Sequence, residues 1–190
     1  MIDKGKLIEN ALLRLGNISD YNDDRSRTYI ACSTLIPSII KKTCSNNSLN
    51  FAVSKVVLTT HNFDEESGEY IFNLPADFLG IAKRPIKRRV VSNRIISALN
   101  EISYASNSTN VRLQGEYIYS NRSKISLYYT RELPITEFPD YMFDYLVWTL
   151  ATEACLMYPA FTERLGYCET KAAQALLSIQ KLEGFGVAYE

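Results

Sequence analysis

The sequence predicts an α+β protein: an antiparallel helical bundle made by the N- and C-terminal helices, with a central small antiparallel β-sheet domain. Three observations predict it. Apolar residues recur at helical spacing over residues 4–44 and again over 140–182. Between residues 50 and 130 the runs become short, alternating and rich in β-branched and aromatic side chains. The order of helices, then strands, then helices argues against a parallel βαβ architecture. The expected segments are 1–49 for the N-terminal helices, 50–133 for the antiparallel β region, 134–183 for the C-terminal helices and 184–190 for a C-terminal arm.

Lys4 to Leu15 reads as the first helix, with Leu7, Ile8, Ala11, Leu12 and Leu15 on one face. Asp3 suits its N-cap and Gly16 the position just past its end. After a polar, acidic loop, Asp23 or Asp24 is expected to cap a second helix over Arg25 to Cys44. Its apolar stripe is Tyr29, Cys32, Ile36, Ile39, Ile40 and Thr43, and Pro37 within it should kink or divide the helix. Phe51 to Thr60 then reads as a strand. His61 to Glu69 reads as an acidic hairpin loop, with Tyr70 to Leu74 as the return strand. Proline restricts the residue before it, so this strand must end near Leu74. Leu74 and Phe78 flank that junction in apolar runs and are expected to enter the core.

Ile81 to Val91 can be extended but is crowded with basic residues. Val111 to Leu113, Tyr117 to Ser120 and Lys124 to Thr130 read as the last strands, with Asn121-Arg122-Ser123 as a hairpin turn. A connector with Pro134 and Pro139 leads into a helix over Asp140 to Tyr158. A final helix follows over about Phe161 to Leu182, with Leu165, Ala172, Ala175, Leu176 and Ile179 on its stripe. Gly184 and Gly186 release it into a short apolar tail. Phe185, Val187 and Tyr189 in that tail read as an interaction arm, or alternatively as residues that fold back on their own helices.

Length and composition suit one domain, or one domain with an arm. Formal net charge is +0, so there is no bulk drive toward nucleic acid or anionic membrane. The N-terminal stretch lacks a long apolar region, so no signal peptide is expected. No run approaches the ~20 apolar residues of a membrane span, so no membrane partner is expected. Cys32, Cys44, Cys155 and Cys168 form no CxxC pair, and His61 is the one histidine that could join them. Zinc sites usually draw on tight pairs of ligands, so these read as reduced, buried thiols and no metal or other cofactor is expected.

Nothing in the chain looks catalytic. One histidine leaves a single candidate base for any Ser-His or Cys-His dyad, and no nucleophile elbow, phosphate loop or HExxH occurs. Asp23-Asp24 and Glu65-Glu66 are carboxylate pairs in polar loops, where solvated charge is the ordinary state. The charge cluster that stands out is Lys83, Arg84, Lys87, Arg88 and Arg89, with Arg94 beyond it. It can hold phosphate or an acidic protein surface. It equally suits a solvated strand edge, where basic side chains protect against sheet aggregation. Thirteen tyrosines fit either an interface or a strand-rich core.

Four segments, in order along nearly the whole chain, carry a resemblance to a known family. The first is Asn10-Ala11-Leu12-Leu13-Arg14-Leu15-Gly16. The second is Asn50-Phe51-Ala52, preceded by Leu49 where the family has Trp. The third is Tyr70 to Ile81, with Leu74-Pro75-Ala76-Asp77-Phe78-Leu79 at its centre and Gly80 where Arg is common. The fourth is the aromatic stretch Tyr117 to Tyr129, followed by a proline-containing connector and the helix Phe143 to Ala154 around Trp148. Together they resemble the tail tubular protein A family, the head-to-tail adaptors of short-tailed bacteriophages.

The resemblance implies a helical adaptor with a small sheet domain that does no chemistry. It implies a dodecameric ring in the virion at the head-tail junction, assembled in the host bacterial cytoplasm. Its partners would be copies of itself, the phage portal protein, the next tail-tube or nozzle protein, and genomic DNA passing through the lumen. The basic residues 83–94 would then face portal or DNA, and Phe185, Val187 and Tyr189 would dock on the portal. The reading from another class is a non-enzymatic nucleic-acid-binding or regulatory module that uses the basic segment 83–94.

Overall fold

The computed structural model describes residues 1–17, 22–46, 49–59, 62–82 and 111–183. The chain divides into two compact units, Met1–Phe51 with Leu133–Glu190, and Ala52–Glu132. Among the described residues it is mixed α+β, with four α-helices in the first unit and two antiparallel sheets in the second.

In the helical unit, α1 spans Lys4–Arg14. Asp3 caps its start, its Oδ1 accepting the Lys6 N–H at 2.8 Å. At the other end Gly16 takes φ +74, and its N–H donates to Leu13 O while the Asn17 N–H donates to Leu12 O. This is a Schellman closure, which a residue with a Cβ enters only with strain. Arg164 completes the end by donating from Nη1 to Arg14 O at 3.0 Å. A Cβ at position 16 would lie 2.9 Å from the same guanidinium.

Helix α2 spans Arg27–Cys44. Its N-cap is Ser26, whose Oγ accepts the Tyr29 N–H at 3.1 Å, not Asp23 or Asp24 as expected. Asp23 instead closes the turn ahead of the cap, its Oδ1 accepting the Arg25 N–H at 3.0 Å. Pro37 does not divide this helix. It sits on the exposed side, while Cys32, Ile36, Ile39, Thr43 and Cys44 are buried.

The first turns of the two C-terminal segments wind as tighter 3₁₀ turns, Asp140–Met142 and Pro159–Arg164. The α-helices proper are therefore α3, Phe143–Met157, and α4, Leu165–Leu182. Helix α3 is the centre of the unit. It buries Leu146, Val147, Trp148, Leu150, Ala151, Ala154 and Cys155 and packs against α1, α2 and α4. Helix α4 packs chiefly on α3. Of its expected stripe only Ile179 is fully buried, joined by Cys168, and the rest is half-covered.

The sheet unit holds β1 Val53–Thr59, β2 Asn62–Asp64, β3 Glu69–Asn73, β4 Phe78–Ile81, β5 Val111–Gln114, β6 Tyr117–Ser120 and β7 Lys124–Arg131. They form a three-stranded sheet, β1-β7-β4, and a four-stranded sheet, β2-β3-β6-β5. Two expected pairings are corrected here. Part of the expected loop 61–69 is strand β2, and β3 returns along β2 rather than along residues 51–60. The turn that joins them is local: Asp64 accepts from the Glu66 N–H and the Ser67 hydroxyl, and Gly68 N–H donates to Asp64 O. Asn121-Arg122-Ser123 does not close a hairpin either. It carries the chain from β6 in one sheet to β7 in the other.

Two hairpins form among the described residues, β2–β3 and β5–β6, the second turning at Gly115-Glu116 with Gly115 at φ +59. A two-residue hairpin turn of this hand needs positive φ at its first position. Strand β1 pairs with β7 from Val53↔Thr130 to Thr59↔Lys124, so the unit begins and ends on neighbouring strands. Its core is Phe72, Ile118, Ile125, Leu127 and Tyr129, with Leu74, Phe78 and Ile81 half-buried against it.

Candidate interaction surfaces

The Leu74-to-Leu79 motif is a crossover between the two sheets. Strand β3 ends at Asn73, the Leu74 N–H donates to Glu116 O, and Phe78 N–H donates to Pro75 O to form the bend. Asp77 then ties the bend to β7 twice. Its carbonyl accepts the Glu132 N–H at 3.0 Å, and its Oδ1 accepts the Tyr129 hydroxyl at 3.0 Å. Phe78 stacks on Tyr129 at 5.9 Å between centroids. Burial, followed by the hydrogen bond to Asp77, pushes the Tyr129 phenol above its ordinary range. Leu79 lies at a register shift between Phe78 and Gly80 on the β4–β7 pairing.

The other motif residues of the sequence are also framework. Phe51 packs on Phe138 at 4.9 Å. Leu49 is fully buried in the helical unit. Trp148 lies edge-on to Tyr167 at 5.7 Å, with the Arg14 guanidinium 5.0 Å from its ring centre. The basic residues Lys83, Arg84, Lys87, Arg88, Arg89 and Arg94, the tail residues Phe185, Val187 and Tyr189, and His61 lie outside the described residues.

Two surfaces stand out among the described residues. In the helical unit, large apolar side chains are exposed along the C-terminal helices: Leu156, Met157, Tyr167, Leu177 at 56% and Leu182 at 72%. A groove of about 250 Å³ also runs beside α4, lined by Thr149, Thr152, Ala172, Ala173 and Leu176, with the Lys42–Glu153 ion pair at its edge. In the sheet unit, two depressions of about 610 and 440 Å³ share Asn73 and Tyr117. Sequence reading missed the second surface. The alternation Tyr117, Tyr119 was its signal, and only the strand pairing showed which residues stand beside them.

Among the described residues no cluster of three His, Cys, Asp or Glu side chains is placed to hold a metal ion. The four cysteines are free and buried. Burial pushes the Cys32 thiol up from 9.0 to about 11. Burial, then the neighbouring Cys168, pushes the Cys155 thiol up to about 12. These thiols therefore favour folding fully below pH 9, and that contribution is lost as pH rises through the folded values. A move from 9.0 to about 11 corresponds to about 3 kcal/mol for Cys32. The melting temperature is expected to fall steeply between pH 9 and 11, and less steeply in Cys32→Ala. Equal slopes in scanning calorimetry would show that the thiol ionises without opening the fold.

No protein-family model matches the chain, and no curated protein matches it. No helix among the described residues is long and apolar enough to cross a membrane.

Proposed function

We propose that this chain is a structural head-to-tail adaptor of a phage virion. In this reading it forms a dodecameric ring that joins the portal to the tail tube and lets DNA pass. The helices act as an antiparallel bundle that builds the ring wall, and the sheet unit meets the next tail-tube or nozzle protein. The observation that carries the reading is the set of large apolar side chains exposed on the C-terminal helices, combined with the ordered motifs of the sequence. A side chain such as Leu182, 72% exposed, gains when a neighbouring protein covers it. Consistent with a role without chemistry, the motif residues support the framework: Asp77 holds a bend and Trp148 fills a helix contact.

The test is assembly. Light scattering on a sizing column, with and without a portal protein, is expected to yield a complex of many copies. Negative-stain images are expected to show rings on the portal. A chain that stays monomeric with portal and instead binds duplex or single-stranded DNA would favour the nucleic-acid-binding module.

A further inference from the structure

Cys155 lies in the last turn of α3 and Cys168 in the first turn of α4. Their thiols meet inside the contact between the two helices, where the Cys155 S–H donates to the Cys168 sulfur. Both side chains are buried. At the opposite end of the helix pair the Tyr141 hydroxyl donates to Glu183, so the thiol contact belongs to a packing fixed at both ends. The Arg164 guanidinium, which donates to Arg14 O at 3.0 Å, acts on both sulfurs and favours their thiolates. Cys32 and Cys44 are a different case. They stand twelve residues apart on one helix, about 18 Å along its axis, too far to bond each other.

We infer that Cys155 and Cys168 form a disulfide when the chain meets an oxidant, a covalent staple between α3 and α4. Sulfurs in hydrogen-bond contact have to close by only about 2 Å to reach an S–S bond. The co-reactant is a small disulfide such as oxidised glutathione. One cysteine thiolate attacks it, forming a mixed disulfide and releasing one glutathione. The second cysteine then displaces the other glutathione and closes the protein bond. The chain gives up two electrons and its two thiol protons, and two glutathione thiols carry them away. Burial keeps both sulfurs away from reagents, so the reduced pair persists until this end of the helix pair opens locally.

The bond encloses the turn Pro159–Arg164, which holds Arg164 on the end of α1. It also fixes the backbone beneath Leu156, Met157 and Tyr167, which are exposed beside the two cysteines. By linkage, whatever factor the bond adds to the folded state, the folded state adds to the bond. The inference does not depend on the adaptor reading.

A glutathione redox buffer tests it on the full chain. Unfolding in urea and refolding in that buffer removes the barrier of access. Free thiols are then alkylated and counted by mass spectrometry. The refolded chain is expected to keep two of its four thiols. Trypsin cuts after Arg164, between the two cysteines, so a disulfide joining residues 132–164 to 165–171 is diagnostic. That bond should be at least about tenfold more stable toward glutathione in the folded chain than in urea. The oxidised chain should melt several degrees higher, and a reductant should reverse the gain. Cys168→Ser should keep all three remaining thiols. Four thiols after refolding, a 155–168 bond no more stable than in urea, or an oxidised chain that melts no higher than the reduced one would each overturn the assignment.

Discussion

Phe72→Asp is expected to unfold the sheet unit outright. Phe72 is 1% exposed, pairs with Ile118 across the β3–β6 ladder, and touches the core that β7 supplies through Ile125, Leu127 and Tyr129. Removing a buried phenylalanine alone costs about 3–5 kcal/mol. Placing an unpaired carboxylate in the same site adds several more, against a whole-domain stability of only about 5–15 kcal/mol. Hydrogen exchange read by mass spectrometry should show the amides of β3, β6 and β7 losing protection. The amides of α3 should stay protected, because the helical unit has its own buried set around Leu146 and Leu150. A native melting curve for this variant would show that the β3 face is not core. Leu74→Asp and Phe78→Asp should cost less than Phe72→Asp, since both side chains, expected in the core, are only half-buried at its margin.

The double variant Leu177→Asp, Leu182→Asp should leave the fold intact and abolish assembly. Both side chains are more exposed than covered on α4, at 56% and 72%. Exposed substitutions of this kind usually change stability by only about 0.5 kcal/mol either way. In the adaptor reading the same positions are covered by a neighbouring protein. Losing a leucine there removes roughly 1.5–3 kcal/mol from the contact it makes, and the new carboxylate adds a desolvation cost. The expected result is a native melting temperature with no copies on portal particles by light scattering. Normal incorporation would place the subunit contact elsewhere and remove the observation that carries the proposal.

The basic run 83–89 gives a milder effect in the same assay. Lys87, Arg88 and Arg89 changed together to Ser should weaken assembly on the portal at low salt and reduce its salt dependence if the run meets acidic protein. Unchanged assembly and infectivity would leave the protection of a strand edge as its role.

The sequence by itself determined what depends on neighbours a few residues away. The mixed α+β class, the start of α1 at Asp3, its closure at Gly16 and the span of β6 follow from capping chemistry and apolar period. Capping also went astray where several capping residues compete: Asp23, Asp24 and Ser26 are all eligible, and only the geometry of the first turn selects Ser26. Tertiary structure alone decided which strands pair. A period of two marks β7 as a strand but carries no information about its neighbours, and these are β1 and β4, far away in the chain. Local reading joins consecutive strands into hairpins. Here, burying both inner faces around Phe72 and Tyr129 instead sends the chain from one sheet to the other at Leu74-Pro75 and again at Asn121 to Ser123. The same nonlocal packing left most of the α4 stripe half-covered and set Tyr117 and Tyr119 beside Asn73. Side-chain burial is a property of what packs against a residue, and that partner is chosen by the whole fold.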